Sequence, residues 1–300
     1  MRIITKRSWI VILFVFCASL ISTNVKAKNI MNNLPKKAII IIAHGAPSPA
    51  WGAKVTVLKS EVKEKLKAVM PDNKYLVKVA FMEFNKPTIS DIISGFEKEG
   101  VTDVLAVPLF ISPSGHSLED IPNILGLAYN PEKRKDLIEE GTDLVSTRIK
   151  IQISPLLNYG DLIPNIILDR VKNNIDENQK EALMLVAHGS PEYATHWEEM
   201  IERVGDKVKD NTSIDKYDFA FVEMGQHFKE NALPKIEKLQ KDGYKVILQG
   251  IYLSSGADII LRIGGNAKML QDDNIVVGKE GLLPDSRVSS WIVDRITDWK

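Results

Sequence analysis

One series of short motifs occurs twice in the same order, and this repeat limits what the chain can fold into more than any other feature. HGAP at 44–47 returns as HGSP at 188–191, AFME at 80–83 as AFVE at 220–223, and SGH at 114–116 as SGA at 255–257. The offsets between the copies are 144, 140 and 141 residues. Matches at a nearly constant offset indicate a tandem duplication of a unit of roughly 140 residues.

Each unit reads as alternating strands and helices. In the first unit, apolar runs predict strands at 37–43, 75–81 and 102–108, and helical spacing of apolar residues predicts helices at 55–69 and 89–99. This order predicts an α/β fold, with a four-stranded, mostly parallel sheet flanked by helices in each lobe. We place the first lobe at 37–170, the second at 181–300, the junction near 168–180, and a cleft between the lobes.

The N-terminal segment has the composition of an export signal. Residues 1–27 contain four bases and no acid around an apolar run at 9–21, which is short for a membrane span. We predict cleavage near Ala27, a linker at 28–36, a periplasmic location and no membrane contact after cleavage. An uncleaved anchor is the alternative. Removing 27 residues and their four bases leaves 273 residues with 35 bases and 39 acids, which gives no reason to expect nucleic-acid binding.

Histidine and carboxylate groups must carry any metal chemistry in the mature chain. The only cysteine, Cys17, lies inside the predicted signal, after Phe16 where a lipoprotein signal would have a small residue. The mature chain therefore has neither disulfides nor thiolate chemistry.

Three candidate site residues follow successive strands of the first lobe. His44 follows the first strand, Glu83 closes the second and His116 follows the third. In such sheets, ligands bind beyond the carboxyl ends of the strands. Two imidazoles and a carboxylate suit a borderline divalent ion such as Co2+, Fe2+, Ni2+ or Zn2+, and neutral imidazole also accepts protons. A single histidine at a strand end is more often structural, but the repeated pattern favours a site.

The second lobe retains only part of this set. His188 and Glu223 match His44 and Glu83, whereas Ala257 stands where His116 would be. We therefore predict one active centre, in the first lobe, and a degenerate site in the second. His188 and Glu223 could still contribute to metal binding, with a relic role slightly favoured for His188. His196 and His227 have no counterpart and are predicted to be surface or packing residues.

Other enzyme classes fit the motifs less well. The segment 45–49 lacks the lysine and glycine spacing of phosphate loops, so we expect no nucleotide cofactor. Neither HGS at 188–190 nor SGHS at 114–117 is a G-x-S-x-G elbow, which disfavours a serine hydrolase. Several apolar residues near the predicted cleft read either as core or as a wall for a flat macrocycle: Phe81, Phe84, Phe110 and Pro113.

Together, AHG at 43–45, FMEFNKP at 81–87 and PLFISPSGHSLEDIP at 108–122 resemble the class II chelatases, the sirohydrochlorin cobaltochelatases and ferrochelatases. The resemblance covers nearly the whole mature chain, and the long members of that family are tandem duplications. It implies ATP-independent insertion of Co2+ or Fe2+ into a tetrapyrrole such as sirohydrochlorin, in cobalamin or sirohaem synthesis. No cofactor is expected beyond the substrate metal.

By the same resemblance, His44 and His116 bind the metal and take up pyrrole protons, and Glu83 assists metal entry or proton removal. Ala46 departs from the serine found in many relatives and at position 190 here. Export is the larger departure, because tetrapyrrole synthesis is usually cytoplasmic. An exported, non-catalytic tetrapyrrole- or metal-binding protein on the same scaffold is therefore the alternative.

Overall fold

The computed structural model describes residues 36–72 and 75–299. The predicted signal of residues 1–27 lies outside the described residues, as does the predicted linker of residues 28–36 except for Lys36. No helix in the described ranges is both long and apolar enough to cross a bilayer.

The first lobe contains four strands and five helices among its described residues. They are β1 (Lys37–Ala43), α1 (Pro49–Val69), β2 (Leu76–Phe81), α2 (Ile89–Lys98), β3 (Asp103–Pro108), α3 (Ile121–Ile124), α4 (Pro131–Glu139), β4 (Lys150–Ile153) and α5 (Leu162–Lys172). One turn of π-helix, His116–Asp120, leads into α3.

Within 181–299, the second lobe has four strands and four helices. They are β5 (Glu181–Ala187), α6 (Ala194–Asp210), β6 (Lys216–Phe221), α7 (Leu233–Lys241), β7 (Lys245–Ile251), α8 (Ala257–Ile263), β8 (Ile275–Val277) and α9 (Ser286–Asp298). Short 3-10 turns cover Pro191–Tyr193 and Ala267–Gln271, and a π-helical turn covers Phe228–Ala232.

Both sheets are parallel and have the same strand order. The first runs β2-β1-β3-β4 and the second β6-β5-β7-β8. The predicted α/β class with two four-stranded lobes is confirmed. The first strand of each lobe is central, so its carboxyl end, which carries His44 or His188, lies in the middle of the sheet edge.

The structure shifts the start of the first predicted helix. We predicted residues 55–69, but α1 begins at Pro49. Proline suits the first helical turn because its missing N–H would have no partner there, and its fixed φ is already helical. The first turn carries little buried apolar surface, so the hydrophobic pattern did not reveal it.

Alternate side chains of the central strands enter separate apolar layers. Ile39 and Ile41 of β1 face a cluster that also contains Leu183 and Leu185 of β5. Ile40, on the opposite face of β1, joins a cluster confined to the first lobe, and Met184 has the same position in the second lobe. Because strand side chains alternate between faces, each sheet is buried on both sides. The layer between the sheets is shared by the two lobes.

The last helix of each lobe packs on the other lobe. Helix α5 contacts α6 and β7, whereas α9 contacts α1. The ring of Trp299, just after α9, lies 6.4 Å from that of Tyr75 in the first lobe. We call this reciprocal packing the exchange of terminal helices. Ion pairs between the lobes stabilise it: Arg170 Nη1 lies 2.7 Å from Glu280 Oε2, and Arg287 Nη1 lies 2.6 Å from Asp169 Oδ2.

The irregular junction between the lobes is shorter than predicted. The junction of residues 168–180 begins inside α5, which continues to Lys172, and the irregular part covers only 173–180. Residues 37–300 form one compact unit.

Candidate active site

The carboxyl end of β1 turns sharply to present His44. Gly45 has a φ of 104°, and a Cβ added there would lie 2.0 Å from the Glu83 carbonyl oxygen. Only glycine fits this position, because it tolerates positive φ and has no side chain to collide with the neighbouring loop. The Glu83 N–H in turn donates to the His44 carbonyl at 2.8 Å, so β1 and β2 fix the two residues side by side.

His44, Glu83 and His116 converge as the sequence predicts. One ligand atom from each lies within 4.8 Å of the others, and His44 Nε2 is 3.8 Å from Glu83 Oε1. The two imidazole rings meet edge to face, with centroids 4.7 Å apart. Among residues 36–72 and 75–299, no other trio of histidine, cysteine or acidic residues converges this closely.

Hydrogen bonds fix the tautomers of both histidines. His44 Nδ1 lies 3.1 Å from the Gly45 carbonyl oxygen, and His116 Nδ1 lies 2.7 Å from Asp120 Oδ2. Because these oxygens accept hydrogen bonds, each Nδ1 carries the hydrogen, which leaves the Nε2 lone pair free. Each Nε2 can then accept a proton or bind a metal ion.

Asp120 is a site residue that the sequence reasoning missed. Its side chain is nearly buried and lies between His116 and Lys133, whose Nζ is 3.4 Å from Asp120 Oδ1. The hydrogen bond that His116 donates to Asp120 raises the pKa of His116 despite partial burial. Burial alone would raise the pKa of Asp120, but the hydrogen bond from His116 and the charge of Lys133 lower it. The His-x3-Asp spacing at 116–120 was the available signal.

The second lobe holds the loop that carries His116. Trp197 Nε1 donates to the Pro113 carbonyl at 2.8 Å, and Tyr193 Oη donates to Glu119 Oε1 at 3.1 Å. Glu119 also lies 3.7 Å from Lys133 Nζ. The partners in these two hydrogen bonds are 84 and 74 positions apart in the chain, so local sequence patterns do not reveal the contacts.

A cavity of about 1090 Å³ opens between the lobes, and His44 and His116 line it. Its walls are mainly apolar and include the predicted Phe84 and Phe110, together with Trp51, Trp197 and Phe221. Phe84 is 64% exposed and has a φ of 59°, an unfavourable conformation for a bulky residue. Strained residues of this kind concentrate at functional sites. The volume is slightly above the usual range for small-ligand pockets, about 300–1,000 Å³, and so leaves room for a macrocycle.

The second lobe contributes more to the cavity than we predicted. His188 and Glu223 line it, and so does His227, which we expected to be a surface or packing residue. His227 Nε2 lies 3.4 Å from Glu223 Oε1, because the two residues are four positions apart across a tight loop. His196 is exposed and lines a different groove, in agreement with the prediction.

The chain is similar to several characterised groups of proteins. The CbiX family model matches residues 38–174. A sirohydrochlorin cobaltochelatase from Methanococcoides burtonii is 30% identical over 135 residues, which are 45% of this chain and 94% of the relative. One from Saccharolobus solfataricus is 26% identical over 140 residues, or 47% of this chain and 97% of the relative.

Among solved structures, SirB from Bacillus subtilis with Fe3+ is similar, with a TM-score of 0.62 and 17% identity. The match covers 88% of this chain and 95% of SirB. The sirohydrochlorin chelatase SirB in complex with cobalt has a TM-score of 0.59 at 15% identity, covering 88% of this chain and 94% of that chain. At this identity, the likeness concerns the fold of both lobes.

Proposed function

The chain belongs to the CbiX family of class II chelatases, and from that premise we propose that it inserts a divalent metal ion into a tetrapyrrole such as sirohydrochlorin. One observation carries the proposal: His44, Glu83 and His116 converge, and the two histidines line a cleft with the volume for a macrocycle. The relatives named sirohydrochlorin cobaltochelatases support the reaction and its substrate class.

The first task of the site is to hold the incoming metal ion weakly. His44 Nε2, His116 Nε2 and one Glu83 oxygen supply three ligands, and water completes the coordination. Imidazole and carboxylate donors suit Co2+ or Fe2+, and they also accept Ni2+ and Zn2+. Glu83 is part-exposed, so a hydrated ion can reach it. Three such ligands bind an ion without enclosing it, which allows its transfer to the macrocycle.

The second task is to remove two pyrrole protons as the metal ion sheds water. The neutral Nε2 atoms of His44 and His116 are the bases that can accept them. Asp120 stabilises the protonated form of His116 through the 2.7 Å hydrogen bond, and Lys133 holds the Asp120 carboxylate in place. Proton uptake and metal release support each other, because a protonated imidazole no longer binds the ion. This chemistry requires no ATP.

The apolar cavity walls would orient the macrocycle. A flat tetrapyrrole lies against aromatic and aliphatic surface such as Phe84 and Trp51, with its pyrrole nitrogens facing the two histidines. A bound macrocycle would displace water from these walls, which would strengthen the electrostatic contacts beneath it.

The domain history and location are further parts of the proposal. The repeated motifs and the identical strand orders support a tandem duplication, with the active centre in the first lobe. The composition of residues 1–27 supports export to the periplasm with cleavage near Ala27. There the chelatase would act on tetrapyrrole outside the cytoplasm. Fractionation of cells expressing the full chain, with N-terminal sequencing of the product, tests export.

The test of function uses residues 28–300 with sirohydrochlorin and Co2+ or Fe2+, followed by absorbance. We expect metallation faster than the buffer control. His116→Ala should abolish the enhancement, whereas His196→Ala, in a separate groove, should not. Equal loss from both would show that His116 has no special role in the reaction. Tight macrocycle binding without faster metallation would instead favour the non-catalytic tetrapyrrole-binding protein.

A further inference from the structure

The second lobe presents its own group of potential metal ligands to the cleft. His188, Glu223 and His227 all line the cavity that contains His44 and His116. They lie on the opposite wall, since they follow β5 and β6 of the second sheet. Their side chains are accessible: Glu223 is 44% and His227 53% exposed.

His188 and Glu223 reproduce the local geometry of His44 and Glu83. The Glu223 N–H donates to the His188 carbonyl at 3.0 Å, as the Glu83 N–H does to the His44 carbonyl at 2.8 Å. His188 Nδ1 lies 2.8 Å from the Gly189 carbonyl oxygen, so it carries the hydrogen and leaves Nε2 as the free donor atom. The second lobe therefore keeps an imidazole with a free Nε2 next to the backbone of Glu223, whose carboxylate contacts His227.

His227 is an imidazole beside Glu223 in the lobe where Ala257 stands at the position of His116. Its Nε2 is already 3.4 Å from Glu223 Oε1. The Glu223 backbone has a φ of 50°, an uncommon conformation for a residue other than glycine. The buried Tyr252 holds it there by donating a hydrogen bond from Oη to the Glu223 carbonyl at 2.7 Å. This backbone turn brings the carboxylate and His227 together at the cleft wall.

We propose that Glu223 and His227, with His188 as a third ligand, form a second and weaker divalent-cation site on the second-lobe wall of the cleft. Histidine and carboxylate donors suit a borderline ion such as Co2+, Ni2+ or Zn2+. The site is weaker because its three ligand atoms do not converge within 4.8 Å, as those of the first lobe do. His188 therefore joins by side-chain rotation. The inference rests on the proposed function only in taking the ion to be the metal substrate.

The test is a Co2+ titration of residues 28–300 without tetrapyrrole, followed by calorimetry and the visible absorption of bound Co2+. Wild type should bind two equivalents with different affinities. Glu223→Gln combined with His227→Gln should lose the weaker equivalent and keep the stronger, while His44→Gln combined with His116→Gln should do the reverse. His196→Gln is the control and should keep both. Circular dichroism checks that each variant is folded.

A single equivalent in the wild type, removed by the first-lobe variant, would overturn the second site and leave the proposed function intact. Two equivalents retained in the Glu223→Gln, His227→Gln variant would also overturn it. If the first-lobe variant kept the stronger equivalent, the metal site of the proposed function would fail, whatever happened in the second lobe.

Discussion

Asp120→Asn tests whether the buried carboxylate drives the chemistry of His116. Asparagine keeps the shape of the side chain but removes its charge. If the amide oxygen accepts from His116 Nδ1, the NH2 group faces Lys133 Nζ, which is 3.4 Å from Asp120 Oδ1 and is itself a donor. If the oxygen faces Lys133 instead, the NH2 group faces His116 Nδ1, which has lost its acceptor. The variant therefore satisfies at most one of the two contacts that aspartate makes.

The structure bounds the size of the effect. A hydrogen bond between charged groups contributes about 1.5–3 kcal/mol. His116 is 45% exposed, which weakens its electrostatic contacts and favours the lower end, about 1.5 kcal/mol. That value is about a tenfold loss in kcat/KM. Mutation of the hydrogen-bond partner of a metal-binding histidine lowers metal affinity or activity by about 10- to 100-fold. We therefore expect about a tenfold loss at high pH.

The pH dependence gives the sharper readout. Asp120 raises the pKa of His116, and the base must be neutral, so wild-type activity should rise with pH through a value above the ordinary histidine pKa of about 6.5. In the Asp120→Asn variant, this rise should move to lower pH. The fractional loss should therefore be smaller in acid, where wild-type His116 is already protonated.

Stability should respond in a related way. The raised pKa of His116 contributes stability that is present below about pH 6.5 and is lost as pH rises through the folded-state pKa. The lowered pKa of Asp120 contributes stability above about pH 3.9, which is lost as pH falls. The deficit of the variant should therefore be largest between these values.

Steady-state metallation from pH 5 to 9 and thermal melts measure both effects. Glu119→Gln is the comparison variant: it alters contacts to Lys133 and Tyr193 but keeps the hydrogen bond between His116 and Asp120, so its pH profile should keep the wild-type midpoint even if the rate falls. An Asp120→Asn pH profile that coincides with wild type, at unchanged rate, would refute the role assigned to Asp120.

Three further variants probe other parts of the site. Glu83→Gln should lower metallation and Co2+ affinity with little change in melting temperature, because Glu83 is part-exposed; unchanged Co2+ affinity would remove it from the metal site. Gly45→Ala should destabilise the fold by at least ~1–2 kcal/mol, because positive φ and the Glu83 carbonyl both oppose a Cβ; a melting temperature equal to wild type would contradict this. Trp197→Phe should cost about 1 kcal/mol and slow metallation, because Pro113 loses its hydrogen bond; a rate equal to wild type would show that the second lobe does not position the His116 loop.

Patterns within short segments predicted most of the framework. The apolar run of β1 predicted a buried strand, and Gly45 predicted a sharp turn after it. The repeat predicted the same strand and turn at β5. The positions of His44, Glu83 and His116 followed from one rule about parallel sheets. These inferences succeeded because each depends on neighbours in sequence or on a fixed topology.

The remaining features depend on contacts between distant residues. The role of Asp120 depends on the π-helical turn that begins at His116, and Lys133 reaches it from α4. His227 joins the cleft because the loop after β6 places it against Glu223, and the corresponding stretch of the first lobe has no matching histidine. The exchange of α5 and α9 left no local signal, because an apolar helix face does not specify which sheet will cover it.

The exchange of terminal helices also restricts how a macrocycle can enter. A hinged protein opens its cleft by rotating one rigid half away from the other, but here each half contains a helix packed on its neighbour, and both share one apolar layer. Rotation would expose residues such as Ile166 and Ile292, which are fully buried. Access must therefore come from the rim, where Phe84 and Ile263 line the cavity and are already exposed while the two halves stay together.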